Sequence, residues 1–230
     1  MKVLIFDTET TGLPKSKIIS QDTLDKWPYI VQFSFIIFDT DTNTRTLTRD
    51  FVIKMDPNVV ISNESIALHG ITNEISKEKG VDIQVALHEF FYYLRSVDLL
   101  VGHNVSFDIN MIYIELLRII YLKQYPEDHI SAYKADLHLL TNFKNIYCTM
   151  QESIDLCAIK VKDKFGREYN KFPKLIELHK HLFQTTPNGL HNSLIDILIT
   201  LRCFMYLTYK KDILTDCKDF IEATKQINFV

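Results

Sequence analysis

The 230-residue sequence predicts an α/β fold, a single domain built on a mixed five-stranded sheet flanked by helices. Three observations carry this. Two β-branched and aromatic runs near the start are separated by turn-forming residues, which signals a hairpin. Further on, short apolar runs alternate with segments of helical period. No linker rich in Gly, Ser or Pro interrupts the chain, whose six Gly and six Pro are scattered.

Lys2–Phe6 is a short apolar run and reads as a buried strand. Ile30–Phe38 is a second strand; the turn Asp39-Thr40-Asp41-Thr42-Asn43-Thr44 leads to a third over Thr46–Ile53. Val81–Arg95 is helical, with Val85, Phe91 and Leu94 on or near one face. Asp98–Gly102 is a fourth strand. Ser106–Lys123 reads as a long helix with Ser106 as its N-cap and Asp108 in its first turn. A polar stretch around Tyr125-Pro126-Glu127 breaks it. Ile146–Thr149 is a fifth strand, and Lys174–Phe183 and Ser193–Tyr209 are helices. The division expected is 1–208 for the main unit and 209–230 for a helical extension packed on it, with a helix around Asp212–Lys225.

Composition excludes several classes. At 47% hydrophobic and 24% charged the chain is neither disordered nor fibrous. Its 26 basic against 29 acidic residues give a net charge of −3, so any nucleic-acid contact needs a local patch. No apolar run nears the roughly 20 residues of a membrane span. MKVLIFDTET meets two acids before any signal-peptide core could form. The four cysteines contain no C-x-x-C pair, so reduced thiols and a cytoplasmic location are expected.

Chemistry concentrates in three places. In Phe6-Asp7-Thr8-Glu9-Thr10-Thr11-Gly12-Leu13 the two-residue strand period puts Asp7 and Glu9 on one face. Two anions so close must share a proton or a cation, and an oxygen-rich site suits Mg²⁺ or Mn²⁺. Thr10, Thr11 and Gly12 then offer hydroxyls, N–H groups and a turn where a phosphate could rest. A bare D-x-E is most often a solvated acidic turn, so the pair alone is weak evidence. In Val101-Gly102-His103-Asn104-Val105-Ser106-Phe107-Asp108 a strand again feeds a helix; Asp108 also suits a helix N-terminus, and Asn104 a turn. In His191-Asn192-Ser193-Leu194-Ile195-Asp196, Ser193 and Asp196 resemble a capping box. That box leaves His191 unexplained on the loop before the helix.

FDTETTGL, HNVSFD and the H-x₄-D of HNSLID together resemble the three motifs of the DEDDh 3′–5′ exonucleases, the superfamily of the polymerase III epsilon subunit and RNase T. Leu68-His69-Gly70-Ile71-Thr72 and Phe172-Pro173-Lys174-Leu175 are similar to subsidiary patterns of that family. The resemblance covers roughly residues 1–208. It implies an RNase H-like fold and two divalent ions, Mg²⁺ or Mn²⁺, held by Asp7, Glu9, Asp108 and Asp196. Asp7 is expected to bridge them, with His191 as general base. Substrate contacts are implied for Thr8, Thr10, Thr11, Gly12, Leu13, His69, Asn104 and Phe107, though core packing accounts for Phe107 equally. Where many relatives carry a small Ala after the last acid, this chain has Ile197.

The function expected is removal of nucleoside 5′-monophosphates from 3′ ends, preferably of single-stranded DNA or frayed ends, in DNA proofreading, repair or degradation, with a polymerase as a possible partner. An RNA 3′–5′ exonuclease shares the same chemistry. A catalytically silent nucleic-acid or polymerase binding module would lack an acid or the histidine, and none is missing. The segment from Ile159 to Leu175 carries six basic against two acidic residues, with Phe165, Tyr169 and Phe172 between them. Such a stretch suits a single strand, or is a solvated loop.

Overall fold

Strand β1 (Lys2–Thr10) alternates its side chains between two buried faces, and this alternation organises the computed structural model, which describes residues 1–123, 125–225 and 227. Antiparallel β2 (Ile30–Asp39) lies on one side of β1, followed by β3 (Thr44–Val52). Parallel β4 (Leu99–Gly102) lies on the other side, with β5 (Ile146–Cys148) beyond it. The order β3-β2-β1-β4-β5 is the mixed five-stranded sheet expected.

Helices α1 (Asn63–His69), α2 (Asn73–Lys79) and α3 (Ile83–Leu94) precede β4. After it come α4 (Val105–Leu122) and α5 (Glu127–Asn142). The short α6 (Thr149–Glu152) and α7 (Ile154–Cys157) lead to a separate hairpin of β6 (Lys160–Lys162) and β7 (Glu168–Asn170). Then follow α8 (Leu175–Phe183), α9 (Ser193–Tyr209), α10 (Ile213–Asp216) and α11 (Lys218–Ala223).

Leu4 and Phe6 point to the face covered by α3 and α4. There Phe90 lies 5.1–5.8 Å, ring centroid to centroid, from Phe6, Phe33 and Phe35. Val3 and Ile5 point the other way, onto Ile197, Leu201 and Phe204 of α9. Ile197 is fully buried in that layer, so the larger side chain is accommodated by packing. Ile213, Cys217 and Phe220 of the C-terminal stretch join the same cluster. Each such side chain removed from water contributes roughly 1.5–3 kcal/mol.

Several expectations are corrected. The first strand runs four residues past Phe6, because β2 continues alongside it through Ile30. The polar stretch after Tyr125 is a 16-residue helix, α5, anchored by buried Leu140 and by an Arg95–Asp136 ion pair. The helix expected over Asp212–Lys225 is two short ones. Gln124, Gln226 and residues 228–230 lie outside the described residues. Asn104, in left-handed geometry with φ 64°, is the N-cap of α4 in place of Ser106. Asn192 caps α9 in place of Ser193. No helix of the described residues is long and apolar enough to cross a membrane.

Candidate active site

The pairing of β1 with β4 ends at Ile5 opposite Val101, while β1 continues to Thr10. Backbone groups of β1 that would face a longer β4 therefore need other partners. Thr8 N–H donates to Asp108 Oδ1 at 3.0 Å, and its hydroxyl donates to the same oxygen at 2.6 Å. Asn104 turns the chain so that α4 begins here, which brings Asp108, 2% exposed, to the edge of β1.

Asp7 and Glu9 lie on the opposite face of β1, across from Ser34 and Gln32 of β2. Those two side chains hold the start of α9. Gln32 Oε1 accepts from Ser193 N–H at 3.2 Å, and its Nε2 donates to Asn192 Oδ1 at 3.4 Å and Asp50 Oδ1 at 2.8 Å. Ser34 gives its proton to Asp50, so the 2.5 Å contact with Ser193 is a donation from Ser193 Oγ. Asp196 thus arrives one turn into a pinned helix. Ligand atoms of Glu9, His191 and Asp196 all lie within 4.8 Å of one another. No capping box forms: Asp196 Oδ2 instead accepts from His191 N–H at 3.2 Å.

His191 is exposed and sits at φ 66°, a region sparsely used by non-glycine residues. Two residues earlier Gly189 has φ 74°, and a Cβ there would lie 2.5 Å from Ile195 Cδ1. The left-handed backbone at 189 thus favours glycine at the start of the turn that leads to the imidazole.

Electrostatics at this junction are unfavourable for anions. Burial, then the charges of Asp108, Asp196 and Glu9, hold the Asp7 carboxyl well above the ordinary range. Burial, then Asp196 and Asp108, push Glu9 up to about 8. Asp108 and Asp196 are raised chiefly by burial, against the donors from Thr8 and His191 respectively. Asp196 Oδ1 is buried with no hydrogen-bond partner. A divalent cation fits this set: the donors are hard oxygens, they repel one another, and one is orphaned.

The remaining residues singled out in the sequence surround this point. His69 is buried; it accepts from Ile71 N–H at Nδ1, which leaves Nε2–H to face the Thr10 carbonyl at 3.3 Å. Thr10 Oγ1 donates to Gly12 O at 2.7 Å, and Thr11 Oγ1 accepts from Tyr29 N–H at 3.0 Å. Leu13 is 82% exposed and Phe107 is half-buried against the main core; both, with Glu9, line a groove of about 1600 Å³. Asn104 is exposed, and its side chain makes no capping bond.

Sequence reasoning missed Gln32 and Ser34, the two polar residues in the otherwise apolar run Ile30–Phe38, and polar types inside a strand of buried residues are the signal that could have found them. It missed their partner Asp50 too, which is exposed on the polar strand β3 and carries no such signal. It also missed Arg118. Buried beside Glu115 and stacked 3.7 Å over the Tyr29 ring, Arg118 donates to the carbonyls of Leu24, Trp27 and Pro28 and so fixes the segment on which Thr11 leans.

The RNase T family model, described as exonuclease, matches residues 4–204. The chain belongs to this exonuclease family. The exonuclease is 23% identical over 207 residues to the DNA polymerase III epsilon subunit of Buchnera aphidicola subsp. Schizaphis graminum, covering 90% of this chain and 74% of that one. To the Escherichia coli K12 epsilon subunit it is 23% identical over 205 residues, covering 89% and 70%. Its fold is similar to E. coli exonuclease I in complex with a dT13 oligonucleotide, with a TM-score of 0.55 and 15% identity over 92% of this chain. That alignment spans 41% of exonuclease I, about two fifths of its length. Exonuclease X in complex with 5′ overhanging duplex DNA gives a TM-score of 0.53 at 19% identity, covering 91% and 92%.

Proposed function

We propose that this exonuclease removes nucleoside 5′-monophosphates one at a time from the 3′ end of single-stranded DNA or frayed ends, using two Mg²⁺ or Mn²⁺ ions. The observation that carries the reading is the convergence of Glu9, His191 and Asp196 within 4.8 Å beside Asp7 and Asp108, all four carboxyls being raised by burial. Asp7, Glu9, Asp108 and Asp196 hold the ions, with Asp7 central because its charge interacts with all three others. When bound, the ions supply Lewis acidity to the attacking water and to the leaving oxygen.

His191 acts as general base. It takes a proton from the water as the water oxygen bonds to phosphorus, and the bond to the 3′ oxygen of the preceding nucleotide breaks. Its exposed place at the mouth of the site gives that proton a route to solvent. The turn from Thr10 to Leu13, braced by Tyr29 and His69, supports the terminal nucleotide, with Leu13 and Phe107 against its base and Thr8 and Asn104 beside its phosphate. Residues 1–208 form the working unit in this reading, and 209–230 extend it. The relatives named epsilon subunits support a polymerase partner, and the four free cysteines fit a reducing, cytoplasmic compartment.

Incubation of matched end-labelled DNA and RNA oligomers with Mg²⁺ or with chelator tests this. Stepwise, metal-dependent shortening of 3′ ends, faster on DNA, is expected. Shortening that proceeds equally in chelator, or from 5′ ends, would refute it.

A further inference from the structure

The hairpin of β6 and β7 stands apart from the main sheet and takes no part in the site described above. Its turn is internally braced. Asp163 Oδ1 accepts from Phe165 N–H and Arg167 N–H at 2.8 and 2.9 Å, and its Oδ2 accepts from Arg167 Nε at 2.8 Å. Gly166, at φ 81°, closes the turn. This tip carries Phe165 in water, 71% exposed, with Lys164 Nζ 5.0 Å and the Arg167 guanidinium 5.4 Å from the ring.

The base of the hairpin is tied to the segment that leads into the catalytic helix α4. Lys171 N–H closes it onto Ile159 O, and two residues later Pro173 O accepts from His103 Nε2–H at 3.1 Å. His103 lies at the end of β4, one residue before the cap of the helix that delivers Asp108. A ring flanked by cations is matched by an unstacked base flanked by phosphates, since base–aromatic stacking and backbone charge are the two terms of single-strand binding. Lys160 and Lys164 are exposed and form no ion pair with a carboxylate among the described residues, so both are available to phosphates.

We propose that this hairpin is a second contact for single-stranded nucleic acid, stacking a base on Phe165 several nucleotides 5′ of the end being cleaved. This rests on the exonuclease reading and adds to it a length requirement: the gain is available only to a strand long enough to reach from the carboxylates to the tip.

The test uses the full chain with Phe165→Ala, Phe165→Trp and the double variant Lys160→Ala/Lys164→Ala. Two substrates are compared, a 30-nucleotide single strand and the p-nitrophenyl ester of thymidine 5′-monophosphate, which cannot reach the hairpin. Phe165→Ala should raise KM for the long strand about 10-fold and leave the ester unchanged. Phe165→Trp should restore wild-type KM. The double lysine variant, measured by fluorescence anisotropy without divalent ions, should flatten the salt slope of log K by about 1.4, two phosphate contacts at about 0.7 each. Unchanged KM and slope in these variants would overturn the proposal and leave the aromatic tip to a protein surface. Equal losses on both substrates, unrescued by Trp, would overturn it as damage to the fold. A wild-type protein that cleaves neither substrate would refute the exonuclease reading alone, because the anisotropy comparison still decides the hairpin.

Discussion

Asp7 is opposed by burial and by three neighbouring carboxylates at once. Asp7→Asn removes one anion from that crowd while keeping its shape. It is expected to raise the thermal midpoint of the metal-free protein and to lower turnover by at least about 10²–10³-fold, the scale of losing one preorganised charge-stabilising group. Melting curves in chelator, set beside digestion of an end-labelled strand, read the two effects, and undiminished turnover would remove Asp7 from the mechanism. Thr8 acts on the other side of the same strand. Both of its donations converge on Asp108 Oδ1, and the hydroxyl one is a hydrogen bond to a buried charge. Thr8→Val should cost about 1.5–3 kcal/mol in the metal-bound protein, where Asp108 is ionised, and raise the Asp108 pKa further. Denaturant unfolding with Mg²⁺ and a carboxyl NMR titration measure the two; a pKa that stays put would mean the hydroxyl contributes nothing there.

At the level of elements, the site depends on where α4 and α9 begin. Both start with an Asn cap that the sequence alone did not single out. Ser106 and Ser193 are equally good cap types, and local spacing cannot choose between neighbours. The choice at α9 is made by Gln32, 160 positions away, whose amide engages Asn192 and Ser193 together. Gln32→Leu is therefore expected to destabilise the protein by about 1–3 kcal/mol and to lower kcat, with circular dichroism showing the sheet intact. Gly189→Ala forces a Cβ onto Ile195 at an unfavourable φ; more than about 1 kcal/mol should be lost and kcat should fall with KM little changed, which single-turnover kinetics would separate. The strands and long helices were legible because apolar periodicity marks them. Asp7, Glu9, Asp108, His191 and Asp196 stood out only together: each alone has an ordinary structural reading, and their order across a first strand, a strand-to-helix junction and a late helix start is what resembles the three exonuclease motifs. Helix α5 was not read from the sequence: its apolar positions Ile130, Tyr133, Leu137 and Leu140 are thin among polar residues, only Leu140 of the four is buried, and its packing comes largely from contacts with α4. The β6–β7 hairpin was read only as a basic segment, since three-residue strands fall below any periodic signal.

For the whole molecule, the raised carboxyls link stability to pH and to cations. A carboxyl whose pKa rises on folding holds its proton more tightly in the folded chain. Its contribution is fully present below the ordinary value of 4.5 and, for Glu9, is lost as pH rises through about 8. Half-buried His103 and buried His179, both held down to about 4 chiefly by desolvation, act in the opposite sense, and their contribution is lost as pH falls below 6.5. The two effects separate when the metal-free and metal-bound proteins are compared. The rise in thermal midpoint on adding Mg²⁺ should grow from about pH 5 to about pH 8, because only the carboxylates are relieved by a cation. A rise that is flat across that range would place the binding energy elsewhere.

The central claim is that four carboxylates from β1, α4 and α9 form one cation pocket whose acids are partly protonated when no cation is bound. Isothermal titration of Mn²⁺ at pH 7, repeated in buffers of different ionisation enthalpy, tests it directly. Saturable uptake with net proton release is expected, and both should be lost or sharply weakened in Asp7→Asn. Uptake that releases no protons, or that Asp7→Asn leaves unchanged, would contradict it.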